Sequence, residues 1–193
     1  LFLGEYKQVF KNSYLTLDFG HTEGYKKASE NKKLGDKSHV FLNFLKNFNE
    51  TESINKNFEV NLQHVRDRKY LKLYKIDSNL VNYETEILEN SIDYSVINED
   101  KNHFYSFNAS ANRTLADSYS DKYEYILPEM SYDKQLFSDK FGYGNFLSYF
   151  KVNNYDTNKY ERTLINNFKW NIDRPFSEKI FTGKILSDLK NIN

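Results

Sequence analysis

Alternation of apolar and polar residues with a period of two runs through most of this 193-residue chain, and no other feature restricts the fold as much. Successive side chains of a β-strand leave on opposite faces, so alternation of this kind marks strands with two unlike faces. Leu15, Leu17 and Phe19 alternate with Tyr14, Thr16 and Asp18. Phe58, Val60 and Leu62 alternate with Glu59, Asn61 and Gln63, and Ile92, Tyr94 and Val96 with Asp93 and Ser95. Tyr105, Phe107 and Ala109 alternate with Phe104, Ser106 and Asn108, while Tyr143, Leu147 and Tyr149 share a face further on. Helical periodicity is hard to find; the stretch Phe137 to Asn145 is compatible with a turn but not with a stable helix.

The pattern predicts strands over 3–10, 13–20, 38–48, 56–66, 79–88, 91–98, 103–111, 122–132, 140–153, 159–170 and 177–187. That is roughly eleven strands, most near the ~9–11 residues that cross a bilayer at a tilt, where strands of soluble proteins average about five or six. Short polar turns at Lys11-Asn12-Ser13 and Asn98 to Asn102 and a medium one at Asn49 to Asn57 contrast with long polar stretches over Gly20 to Lys37 and Ala111 to Lys122. Short turns alternating with long loops are the habit of outer-membrane barrels, although soluble antiparallel sheets share it. The expected architecture is an all-β, antiparallel up-and-down meander forming part of a transmembrane β-barrel. Residues 1–193 read as one domain.

Composition narrows the class. Aromatic residues make up 17% of the chain, with 16 Tyr and 16 Phe, which separates it from disordered chains despite a mean hydropathy of −0.78. Many aromatics in a polar chain suit strands with one aromatic-rich and one wet face, as in a water-filled membrane barrel. The alternatives are a different kind of outer-membrane barrel, such as a porin or receptor, and a soluble Tyr-rich β-sandwich that binds carbohydrate. Lys+Arg and Asp+Glu are both 27, without the basic excess of a nucleic-acid binder, so no nucleic-acid partner is expected. Cys is absent, which removes disulfides and thiolate metal sites within the chain. No apolar run reaches the ~18 residues of a membrane helix. The start at Leu1-Phe2-Leu3-Gly4, without Met and within a strand-like pattern, predicts an internal fragment whose parent carries its export signal further upstream.

Chemistry-bearing residues are dispersed. His21, His39, His64 and His103 show no metal-ligand spacing, and each reads as a polar side chain near a strand end. Gly142-Tyr143-Gly144 opens no helix and marks a bend or a close backbone approach rather than a phosphate loop. Glu84 and Glu86 share one face of the predicted strand 79–88; a glycosidase pair would need them to converge on a sugar, and a wetted strand face accounts for them with less. Tyr70-Leu71-Lys72-Leu73-Tyr74-Lys75 could stack on bases or sugars, but reads better as a strand crossing a membrane–water interface. Pro128, inside a strand pattern, requires a bulge or break. No enzyme activity, cofactor or metal is expected.

Three segments carry a resemblance. Gly4-Glu5-Tyr6-Lys7-Gln8-x-Phe10-Lys11-Asn12, followed by Leu15-Thr16-Leu17, resembles a barrel hairpin of the LPS-assembly protein LptD family (organic solvent tolerance proteins). Val65-Arg66-Asp67-Arg68-Lys69-Tyr70-Leu71 is similar to the family segment in which Ser-Asp precedes Thr-Tyr-Leu, and Ile126-Leu127-Pro128 to its Leu-Pro segment before a strand ending in Tyr, here Tyr132. Ser13 stands where that family commonly has Gly, Arg66 where it has Ser and Lys69 where it has Thr. The resemblance implies a cell-outer-membrane parent that takes lipopolysaccharide from a periplasmic bridge protein, encloses an LptE-like lipoprotein plug, and releases its cargo into the outer leaflet. It also implies that the jellyroll domain, the lateral gate and the cysteines of the family lie outside this chain. No reaction is implied.

For such a wall, alternation assigns Leu15, Leu17, Phe19, Val40, Leu42, Phe44, Phe58, Val60, Leu62, Tyr105, Phe107, Leu147 and Tyr149 to the lipid side. Thr16, Asp18, Asn43, Glu59, Asn61, Gln63, Asp93, Ser95 and Asn108 are assigned to the lumen.

Overall fold

The computed structural model of the protein describes residues 1–29, 32–116, 122–138, 142–176 and 181–192. It contains the strands β1 (Phe2–Phe10), β2 (Ser13–Ser29), β3 (Lys32–Thr51) and β4 (Ile54–Val65), then a short helix α1 (Tyr70–Tyr74). The strands β5 (Ile87–Asn98), β6 (His103–Thr114), β7 (Tyr123–Ser138), β8 (Gly142–Tyr155), β9 (Tyr160–Phe176) and β10 (Phe181–Ile192) follow. All ten strands lie in a single sheet in sequence order, every neighbour antiparallel. The order is linear, so β1 and β10 are the edges and the sheet is not closed on itself.

Among the described residues ten strands form rather than eleven, because 79–86 does not pair as a strand and residues 87–88 belong to β5. Side chains there compete for the backbone. Ser78 Oγ accepts the N–H groups of Leu80 and Val81, both at 3.1 Å, while the Ser78 N–H donates to Val81 O at 3.0 Å. Asn82 Oδ1 then accepts the Glu84 N–H at 2.8 Å in an Asx turn. Pairing begins only at Ile87, so Glu84 and Glu86 share no strand face.

Tyr70 to Lys75 is not an interfacial strand. Tyr70, Leu71 and Tyr74, the residues it packs into or against the buried cluster, fall at i, i+1 and i+4, which is helical spacing. Asp67 starts the turn by accepting the Lys69 N–H on Oδ1 at 2.8 Å and the Tyr70 N–H on its carbonyl at 3.0 Å. Lys75, at φ 49° and ψ 50°, ends it in the left-handed conformation. The polar stretch Gly20 to Lys37 is mostly strand as well, β2 and β3 extending along each other to Ser29 and Lys32. A register shift between Thr22 and Gly24 interrupts that pairing.

At Pro128 the expected bulge is present. Asn108 and Ser110 of β6 face Glu129 and Ile126 of β7, and Lys151 and Asn153 of β8 face the same two residues. Three steps on β7 therefore match two on each neighbour, and Leu127 and Pro128 occupy the excess.

The largest buried cluster forms where residues 66–86 fold back onto the sheet. Tyr70, Leu71, Ile76 and Val81 of that segment pack with Phe41, Val65, Leu88 and Leu115.

Candidate functional site

The register sorts every strand into two faces, and the candidate site is this pair of faces. One cross-strand rung joins Leu15, Phe44, Val60, Ile92 and Ala109, and another joins Phe58, Tyr94, Phe107, Met130, Phe150 and Leu164. Leu17 pairs with Leu42, Phe19 with Val40, Leu42 with Leu62 and Tyr105 with Val96. All of these residues share the first, apolar face. Its centre is uncovered by any other part of the chain among the described residues: Leu62 is 43% exposed, Ile92 48% and Met130 46%.

The second face carries Thr16 opposite Asn43, Asp18 opposite Phe41, Asn43 opposite Asn61, Glu59 opposite Asp93, Ser95 opposite Ser106, and Asp93 opposite Asn108. Gln63 pairs with Phe41 on the same face. The register thus separates the residues assigned to lipid from those assigned to the lumen, with two exceptions. Leu147 pairs with Asp133, and Tyr149 with Ser131, which turns both onto the polar face. Apolar residues stand on both sides of Phe146-Leu147-Ser148-Tyr149-Phe150, so alternation alone could not orient it; Phe146 and Phe150 take the apolar side.

Charge follows the same division. Within the regular ladders the carboxylates Glu5, Asp18, Glu59, Asp93, Glu129 and Asp133, and likewise Glu89, Glu124 and Glu161, all sit on the polar face. The apolar face carries only cationic or titratable-to-cationic groups there: His21, Lys46, Lys56, His64, His103, Arg113, Lys134 and Arg162. Equal totals of acid and base thus conceal a segregation of the acids within the regular ladders of the described residues.

The apolar band does not run straight along the rungs. The rung that starts at Leu15, Phe44 and Val60 ends, beyond the Pro128 bulge, at Val152 and Arg162. The rung that starts at Ser13 and Lys46 turns apolar from Phe58 onward. A third holds Asn98, His103 and Lys134 at its middle and Phe146, Phe168 and Leu189 at its end. The band therefore climbs obliquely across the sheet. From Lys46 on β3, whose rung meets β7 at Met130, the margin reaches Lys134, four positions further on over four strand steps. With a rise of ~3.3 Å per residue and a spacing of ~4.8 Å between strands, the band lies roughly 35° off the rungs.

The polar face is a hydrogen-bonded lattice. Asn43 Nδ2 donates to Glu59 Oε1 at 2.8 Å and to Asn61 Oδ1 at 2.7 Å. Asp93 accepts from Asn108 Nδ2 at 2.5 Å and from Ser91 Oγ at 2.7 Å. Tyr149 Oη donates to Glu129 at 2.9 Å and Asn145 Nδ2 to Asp133 at 2.6 Å. Acceptors on Asn153, Asn167 and Asn171 have no protein donor. Such a surface can hold water or polyhydroxylated groups.

Segment 66–86 lies over this face, not the apolar one. Lys37 Nζ meets Asp67 Oδ2 at 2.6 Å, His39 Nδ1 lies 3.4 Å from the Tyr70 hydroxyl, and Asn79 Nδ2 donates to Glu5 Oε2 at 2.7 Å. Burial, then Tyr74 and Asp18, push the Tyr70 hydroxyl up to about 12. A cavity of about 540 Å³ remains between the segment and β1–β2, lined by Glu5, Asp18 and Ile76 to Asn79. His39, read from sequence as a strand-end polar residue, is buried at the centre of this contact; nothing in the spacing of the histidines distinguishes it. Among the described residues no group of three His, Cys, Asp or Glu converges as a metal site. Gly144 is a close-approach glycine, the Trp170 ring occupying the space of its missing Cβ.

Compared with known proteins, the chain matches no family model, no curated protein and no solved structure.

Proposed function

We propose that this chain is a stretch of outer-membrane β-barrel wall, its oblique apolar band facing lipid and its polar face lining an aqueous interior partly filled by residues 66–86. The observation that carries this reading is the band itself. Strands of transmembrane barrels tilt by ~35–45° to the membrane normal, so a level hydrocarbon layer crosses their rungs at such an angle. The band lies roughly 35° off the rungs and, among the described residues, carries no carboxylate in its ladders and is covered by no other segment. A soluble sheet buries its apolar face and wets its polar one; here Phe41 and Val65 of the polar face are the ones that segment 66–86 buries. Every backbone group in hydrocarbon must be paired, and a continuous antiparallel meander meets that demand except at its two edges.

Within that class, transport of lipopolysaccharide in the manner of the LptD family is the reading that the three resembling segments support. They fall on β1 and its turn, on the passage from β4 into α1, and on the β7 bulge. In this role the chain catalyses nothing. Its polar lattice would guide the saccharide and flank a lipoprotein plug, and the periplasmic bridge would deliver cargo to a domain outside these residues.

Because the chain has no Cys, single cysteines report position cleanly. An environment-sensitive fluorophore at Leu17, Val60 or Phe107 is expected to be quenched by lipid-borne quenchers in vesicles, and at Asn61, Ser95 or Asn108 by aqueous ones. The opposite pattern, or aqueous quenching everywhere, overturns the wall. A photo-crosslinker at Asn108 in cells is expected to capture lipopolysaccharide; capture of phospholipid from Phe107 without lipopolysaccharide from Asn108 would keep the wall and remove the cargo.

A further inference from the structure

The lower margin of the apolar band carries a line of basic residues. Lys46 of β3, Lys56 of β4, His103 of β6 and Lys134 of β7 all stand on the apolar face. Relative to the rung of Lys46, which contains Phe58, Phe107 and Met130, Lys56 lies two positions further toward the turn end, and His103 and Lys134 lie four. The line therefore has the slope of the band and would sit at one depth in a membrane. Aromatic rings accompany it. The Lys46 ammonium lies 4.6 Å from the Phe48 ring centroid, and the His103 and Tyr105 rings stack at 6.4 Å. All four are half-buried, the lysine stems against apolar neighbours, the posture in which a long side chain lifts its charge to a boundary.

We propose that this line is a contact belt for anionic phospholipid headgroups in the leaflet at the turn end of the sheet. The proposal rests on the membrane-wall reading and goes beyond it by naming the lipid chemistry. Three observations support it: the three lysine charges share one sign, no carboxylate shares their face within the ladders, and they occur where the apolar residues stop. Glu52, Glu99 and Asp100 lie beyond the belt in the turns; Asp100 is engaged by Ser53 Oγ at 2.5 Å. Tyrosine rings and lysines in alternation are the composition of a membrane–water boundary, and each lysine near an anionic surface is worth about a fivefold change in partition.

The test uses the whole chain, diluted from denaturant onto phosphatidylcholine vesicles and onto vesicles of phosphatidylcholine and phosphatidylglycerol in equal parts. Trp170, the single tryptophan, faces the apolar side beside Phe168 and reports insertion by a blue shift. The expected result is insertion into both, greater with phosphatidylglycerol by about fivefold for each belt lysine, and a preference that high salt removes. The triple variant Lys46→Gln, Lys56→Gln, Lys134→Gln loses the preference, the matching Lys→Arg triple keeps it, and Lys151→Gln on the polar face keeps it too. Insertion without any preference, or a preference indifferent to both salt and the Gln triple, overturns the belt and leaves the wall standing. Failure to insert into either vesicle overturns the wall reading itself.

Discussion

His39 Nε2 stands 2.7 Å from Asp18 Oδ1, and the imidazole between β2 and segment 66–86 is almost wholly buried. When the Nε2–H donates to the carboxylate, Nδ1 is left as an acceptor, and the Tyr70 hydroxyl 3.4 Å away is placed to donate to it. Segment 66–86 is thus tied to the wall by a chain that needs Tyr70 protonated.

Alkaline pH should therefore loosen it. The raised Tyr70 value, caused first by burial, means that the folded protein keeps a proton that the unfolded chain releases from about 10 upward. Stability from this group is complete below 10 and is lost as pH climbs to about 12, by on the order of 2 kcal/mol. Near neutral pH, Tyr70→Phe is expected to unfold about 1 kcal/mol more easily for want of the hydrogen bond. Above pH 10 the gap should close and then reverse. Parallel pH profiles of the two proteins in denaturant titrations would contradict this.

A methyl group at Gly20 has nowhere to go. Gly20 pairs with His39 across β2 and β3, and a Cβ there would meet His39 Cε1 at 2.5 Å and Leu3 Cδ2 at 2.7 Å. Gly20→Ala is expected to cost about 1–3 kcal/mol by displacing the ring from Asp18. The imidazole proton resonance of His39 should shift with it; an unchanged resonance and unchanged stability would show that the ring has slack.

Lys37 is the second tie. Its side chain is 5% exposed and its partner Asp67 33%. Lys37→Met removes a part-buried ion pair and leaves the Asp67 cap on the Lys69 N–H, so a loss of about 1–3 kcal/mol is expected. The diagnostic is local: trypsin should cut sooner after Lys72 and Lys75 than in the wild-type protein, while the strands stay protected. Equal protection of both sites would mean that packing by Tyr70 and Leu71 alone holds the segment.

Alternation was enough to sort Leu15, Leu17 and Phe19 from Thr16 and Asp18, because a face is a local property with a fixed period. It failed wherever side chains compete with the ladder. Ser78 and Asn82 capture backbone N–H groups and stop residues 79–86 from pairing, although their apolar spacing resembles a strand. Tyr70, Leu71 and Tyr74 carried a helical signal too brief to separate from alternation. Leu147 and Tyr149 needed their partners Asp133 and Ser131 to be oriented, and partners are a property of pairing. The slope of the apolar band was invisible for the same reason: it exists only once the registers of the ten strands are laid side by side.

A charge scan across one peptide bond tests the two faces most directly. Val60 sits between Phe44 and Ile92 in the middle of the apolar band. Asn61, its neighbour, bonds to Asn43 and Glu59 on the other face. An arginine near a membrane midplane costs roughly 2–4 kcal/mol, and one facing an aqueous interior far less. Val60→Arg is therefore expected to lose that amount in urea unfolding from vesicles. Asn61→Arg should lose under about 1 kcal/mol, its guanidinium beside the Glu59 carboxylate offsetting the lost amide bonds. Thr16, at 2% exposure, is too crowded to serve as the polar-side control. Equal losses at the two positions would mean that neither face meets lipid; a larger loss at Asn61 would mean that the faces are reversed.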